Sequence, residues 1–314
     1  MMKINWFKPV DNIGLILWRV IFGALITLES FGAILTGWVK EVLIEPDFTF
    51  TFIGFDWLQP LPGYGMYLYY ALMGMCGLAV MLGYRYRWSM LFFAVLWTGT
   101  YLMQKSAYNN HYYLLCLLSW LMVFVPSSKD LSHDALKAQY RIQVMPNWVK
   151  VLFIGQVLII FTYAAWAKLY PDWIDGSVIA LFMESKKNYF LIGPGLQEIW
   201  LQKLLVWGGI FFDALIIPGL IWQKTRVPAF IVSIGFHLFN SVVFQIGIFP
   251  FMSIAFALFF FSPETLRHRF NWLISHFEKQ YHKFTNKRAA QIQKTEVIHK
   301  NSQLKPLKWI QVLV

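Results

Sequence analysis

Lys168 closes the apolar run "FTYAAWAKLYPDW", while Asn110 and His111 open another behind "QKSAYNNH". Low-dielectric surroundings disfavour an ammonium, so a lysine at such a lip is available as a base. Ala164 and Ala165 lie one turn back, and small residues there leave room beside the amine or let a second helix approach. The blander reading is an interfacial lysine snorkelling beside Trp166 and Trp173, with His111 and Asn110 as a solvated helix cap. A third group, in "FHLFNSVVFQIG", puts His237, Asn240, Ser241 and Gln245 at i, i+3, i+4 and i+8. This is one polar stripe on an apolar helix, serving either interhelical hydrogen bonds or the wall of a polar cavity. The catalytic candidates are therefore Lys168, His111 and Asn110. The ligand-holding candidates are His237, Asn240, Ser241 and Tyr108. No metal-ligand spacing, phosphate loop, nucleophile elbow or paired-carboxylate motif is present. Lysine, histidine and amide together suit proton abstraction from a lipophilic ligand better than hydrolysis, with no metal required.

The elements that must position these residues are membrane helices. The chain is 58% hydrophobic and 14% charged, against about 25% charged in soluble domains. The expected fold is an all-α, polytopic bundle of about eight helices: Ile13–Thr36, Met66–Leu82, Trp88–Met103, Tyr112–Val125, Val149–Ala167, Leu204–Trp222, Ala229–Gly247 and Ile248–Phe261. Several fall short of the roughly 20 residues a span needs, so polar flanks or tilt must complete them. The first run is too long for a signal-peptide core and lacks a small-residue cleavage site, so it reads as a retained helix. Cys76 and Cys116 both lie in apolar segments and read as packing residues. Three ionisable residues fall at membrane depth. Arg19 is expected to snorkel to the interface. Glu29 and Asp213 each need a cationic partner or a proton, in a structural or a functional role.

Basic residues alternate between loops. Lys3 and Lys8, then Arg85 and Arg87, then Lys129, Lys137, Arg141 and Lys150, then Lys224 and Arg226 fall on one side of an eight-helix bundle. The positive-inside rule makes that side, and both termini, cytoplasmic. The expected location is the bacterial inner membrane, with the Asn110–His111 cluster facing the periplasm. Residues 1–262 form the membrane domain. Residues 263–314 carry ten Lys/Arg against three Asp/Glu and read as a basic cytoplasmic tail. An amphipathic helix through Leu266, Phe270, Leu273, Phe277, Tyr281 and Phe284 is expected to lie on anionic lipid, with disorder after about residue 287. Nucleic acid is not an expected partner.

The segments "KSAYNNHYYLLCLLSWLMVFVP", "FTYAAWAKLYPDWIDG", "FHLFNSVVFQIGIFPF" and "GFDWLQPLPGYGMY" resemble the vitamin K-dependent gamma-carboxylases and their bacterial relatives, the horizontally transferred transmembrane (HTTM) domain proteins. The similarity runs from about Asn12 to Pro263. It implies an enzyme that oxidises reduced vitamin K, or a related quinol such as menaquinol, to its epoxide. Dioxygen and carbon dioxide are the co-substrates, and carboxylation of a peptide or protein glutamate is the coupled step. By the same resemblance, Lys168 is the base toward the hydroquinone, His111 serves the carbanion or carbon dioxide, and Asn110 is its amide neighbour. Gln104 stands where the family often has Asp. Animal members carry a large lumenal region after the membrane domain, where this sequence has its basic tail, so quinol chemistry is the part of the reaction expected of the bundle. The competing readings are a non-catalytic quinone- or lipid-binding membrane protein, such as a maturation partner, and a transporter, which the absence of repeats disfavours.

Overall fold

The computed structural model describes residues 5–272 and 275, apart from residue 140. Each of the eight apolar segments folds as a helix. They are α1 (Ile13–Leu35), α2 (Gly65–Leu82), α3 (Tyr86–Met103), α4 (Asn110–Phe124), α5 (Asn147–Trp166), α6 (Ile199–Ile221), α7 (Arg226–Val243) and α8 (Phe249–Phe256). Five or six helices among the described residues are long and apolar enough to cross a membrane, and the molecule is a polytopic helical bundle. α1 to α4 pack in sequence order, as do α5 to α8, and α8 closes the arrangement against α1, α5 and α7. The closure is aromatic. Trp18 stacks on Phe256 with ring centroids 4.3 Å apart, and Phe153 lies parallel to Phe259 at 4.6 Å. Leu28, Phe92, Ile159, Leu215 and Ile231 face outward, as lipid permits and water does not.

The basic loops gather at one end. A two-stranded antiparallel ribbon, β1 (Pro9–Asp11) with β2 (Val144–Pro146), ties the amino-terminal segment to the start of α5. The Asp134 carboxylate accepts from the backbone N–H groups of Arg85 and Tyr86 at 2.8 and 2.9 Å, so the first turn of α3 is capped by the loop after α4. Arg19 corrects the snorkelling expectation. It is 1% exposed, and its guanidinium donates to the Ser127, Asp130 and Leu131 carbonyls at 2.9, 3.3 and 2.7 Å. The loop supplies acceptors where the arginine stands, so no reach to the interface is needed.

The opposite end carries the less basic loops. "DFTFTFIGF" forms no regular strand, yet Phe52 donates its N–H to Leu102 at 3.1 Å and Phe50 accepts from the Lys105 N–H at 2.5 Å. Gln104 is buried there. Its amide donates to the Val42 carbonyl at 3.0 Å and its oxygen accepts from the Phe50 N–H at 3.2 Å, pinning the first outer loop to the second. The stretch between α5 and α6 holds three short helices, Pro171–Ile174, Ser177–Glu184 and Gly193–Leu196. Ile179, Met183 and Leu196 bury against Val206 and Val243 and cap the ends of α6 and α7.

The chain divides into two units at Phe261 and Ser262. In the second, a helix over Pro263–Trp272 is capped by Ser262, whose hydroxyl accepts from the Thr265 N–H at 3.2 Å. Leu266 and Phe270 lie on this helix, whereas Leu273, Phe277, Tyr281, Phe284 and the expected disorder after residue 287 fall outside the described residues.

Candidate functional site

Lys168 follows the last turn of α5, at the end away from the basic loops. Its amine donates to the Ala164 carbonyl at 3.3 Å and to the Asp213 carboxylate in a direct ion pair. The lysine side chain is 21% exposed and the aspartate 6%. Asp213 lies on α6 one turn beyond Gly209, so both residues share a helix face. The lysine stem packs against this turn, and a Cβ at Gly209 would stand 3.9 Å from Lys168 Cε, an ordinary van der Waals contact. Trp173, in the first short outer helix, covers the amine with its ring centroid 5.3 Å away, and its indole N–H donates to the Val206 carbonyl at 3.4 Å. The pair thus sits beneath an aromatic face with its carboxylate nearly enclosed, where mutual attraction is weakly screened. The demand that Asp213 have a partner is met by Lys168.

His111 belongs to a second group. Asn109, rather than Asn110, caps α4, with its side chain accepting from the Tyr112 N–H at 2.8 Å. Asn110 is exposed and accepts from the Tyr108 hydroxyl at 2.8 Å, so these two candidates are paired with each other at the rim. His111 points inward, its ring 4.2 Å from Phe249. It lines a cavity of about 330 Å³ together with Glu29, Asn109, Tyr112, Gln245 and Phe249. Glu29 faces the Tyr112 hydroxyl and the Ile248 N–H instead of a cation. Gln245 lies beyond the end of α7 in a left-handed turn, φ 52°, so it enters this cavity from a loop and not from the helical stripe. A groove of about 520 Å³ at the basic end, lined by Arg85, Arg87 and Lys129, contains none of the candidate residues.

His237 lies deep in the bundle. It is 1% exposed, and its ring lies 5.5 Å from both Phe212 and Phe236, 6.1 Å from Phe161 and 6.3 Å from Phe249. Neither ring nitrogen has a hydrogen-bond partner among the described residues, a state that costs about 1–3 kcal/mol for a buried polar group. Phe249 therefore touches both histidines, and Phe212 neighbours Asp213 in sequence. The run from His111 through Phe249 and His237 to Phe212 is aromatic, with one imidazole in its middle. Asn240 and Ser241 are half-buried on the next turn of α7.

Sequence reasoning left out Asn109 and Tyr112. The signal for Asn109 was available, because an Asn two residues before His111 has the spacing to cap the Tyr112 N–H. No solved structure matches the chain. A family model described as HTTM domain matches residues 7–264, which is most of the sequence, and the chain belongs to the HTTM domain family.

Proposed function

We propose that this chain is a quinol-oxidising membrane enzyme of the vitamin K-dependent carboxylase type, in which Lys168 receives the first proton from the bound hydroquinone. The observation that carries the reading is the Lys168–Asp213 pair, a proton-handling group covered by Trp173 in a bundle of this family. The HTTM domain is also found in vitamin K-dependent carboxylase-like proteins. The residues present fit an aromatic, lipophilic ligand. Phe249 walls the 330 Å³ cavity, and His237, buried beside Phe249, offers an unpartnered nitrogen able to meet a quinone oxygen. When bound, a reduced quinone supplies the reducing power for reaction with dioxygen.

The chain's own residues divide the remaining work. Lys168 takes a proton, His237 orients the ring, and Trp173 covers the amine from water. His111 and Glu29 hold the separate 330 Å³ cavity, where carbon dioxide and a glutamate side chain would meet. The proposed setting is the bacterial inner membrane, with both termini cytoplasmic and the site facing the periplasm.

Purified protein in detergent, supplied with reduced menaquinone, dioxygen and carbon dioxide, should yield quinone epoxide by mass spectrometry. Lys168→Ala should lose about 10²–10⁴-fold of that rate, and Lys168→Arg should fail equally because a guanidinium keeps its proton. His111→Ala should depress glutamate carboxylation more than epoxide yield. Tight quinone binding without any epoxide would replace this reading with that of a quinone-binding protein.

A further inference from the structure

An ammonium has no lone pair, so a lysine held in an ion pair is not itself a base. The aspartate hidden behind it is one. Asp213 is nearly enclosed while Lys168 keeps a fifth of its side chain open, so the amine stands on the carboxylate's side toward an incoming proton. The second amine contact, to the Ala164 carbonyl, can accept a hydrogen bond but not a proton.

We propose that Lys168 and Asp213 work as one dyad, with Asp213 as the final holder of the proton that Lys168 draws from the hydroquinone; this rests on the quinol reading above. The hydroquinone O–H bond breaks and both of its electrons stay on oxygen. The released proton binds the Lys168 nitrogen as that nitrogen's N–H bond toward Asp213 breaks, and the proton so freed forms the O–H of a neutral carboxyl. Net charge is zero before and after. The products are a quinolate, an ammonium and a carboxylic acid, with the ammonium left beside the new anion. Asp213 acts through Lys168 and touches no substrate. A lysine acting alone would first have to shed its proton elsewhere, and loss of Asp213 would then leave the amine freer to react.

These two accounts give opposite results for Asp213→Asn. The experiment uses the full chain in detergent, under strict exclusion of oxygen, with short-tailed reduced menaquinone as the probe. Infrared difference spectra read the carbonyl stretch of a protonated carboxyl, and ultraviolet absorbance reads the quinolate. In the parent protein, quinol addition should raise a protonated-carboxyl band that moves in heavy water, together with quinolate absorbance. Asp213→Asn should lose both, with quinolate formation slowed by about 100-fold or more, while Asp213→Glu should recover part of each. Oxidised menaquinone binding and the melting temperature report whether the Asn variant is folded. If that variant fails to fold, Asp213→Glu and Lys168→Ala decide: an unchanged band in Lys168→Ala overturns the dyad. Parental quinolate formation in folded Asp213→Asn also overturns it, as does absence of both signals in the parent. A parent that shows both signals without oxygen, yet releases no epoxide in air, would retain the dyad and lose the proposed oxidation.

Discussion

Replacing Asp213 by leucine would strand the Lys168 ammonium in a half-buried site, since that carboxylate is its ion-pair partner. Removing one partner of a buried pair costs about 3–5 kcal/mol. The expected outcome is therefore a clear drop in melting temperature for Asp213→Leu, and partial recovery in Lys168→Met/Asp213→Leu, where neither charge is left alone. Equal melting of parent and single variant would mean that the pair contributes nothing to the fold. At this scale much was legible. A carboxyl at membrane depth demands a partner whatever the fold, so Asp213 announced itself, but its partner lies 45 residues away on another helix. Arg19 misled for the same reason in reverse. Its acceptors are loop carbonyls from Ser127 to Leu131, and backbone groups leave no mark in side-chain pattern. His237 was visible as a polar residue on an apolar helix, whereas its ring of phenylalanines comes from α5, α6 and α8 together and is a tertiary fact.

Helix positions followed from apolar runs. What hydrophobicity does not encode is how closely two helices meet. In α1 and α2 the contact is set by glycine. A Cβ at Gly23 would lie 2.4 Å from the Met81 backbone nitrogen, and one at Gly77 would lie 2.5 Å from the Thr27 hydroxyl. Backbone cannot swing aside as a side-chain tip can, so Gly23→Ala should force the helices apart. The expected loss is about 1–3 kcal/mol, read as reduced thermal stability in detergent, and larger than for Gly32→Ala, where a Cβ meets nothing within 4 Å. Equal behaviour of the two variants would contradict the close approach. Arg19→Lys tests the turn of α1 just before Gly23. A single ammonium cannot span three carbonyls spread over the loop as a guanidinium fork does. The variant should lose about 1–3 kcal/mol and expose the 127–131 loop to protease, and parental resistance would argue against the staple. The three short outer helices escaped sequence reading because each is eight residues or fewer and is stabilised by burial on α6 and α7, which local propensity does not register.

Taken whole, the molecule sorts its loops by charge. The ribbon, the Arg19 staple and the Asp134 cap all lie at one end, and Gln104, the α4 cap and Lys168 lie at the other. In a cysteine-free background, with Cys76 and Cys116 replaced, cysteines placed at Ser106 and Ser128 should react with a membrane-impermeant maleimide from opposite sides, Ser106 from the periplasm. Reaction of both from one side would break the proposed orientation. Orientation, however, serves the chemistry only if the bundle turns over a quinol, and that is the claim on which the rest depends. The most direct test is mass spectrometry of the quinone recovered after purified full-length protein is incubated with reduced menaquinone under heavy-isotope dioxygen. The account expects an epoxide carrying one heavy oxygen atom from the parent protein and none from Lys168→Ala. Recovery of menaquinone without epoxide from the parent, or equal labelled epoxide from both proteins, would contradict it.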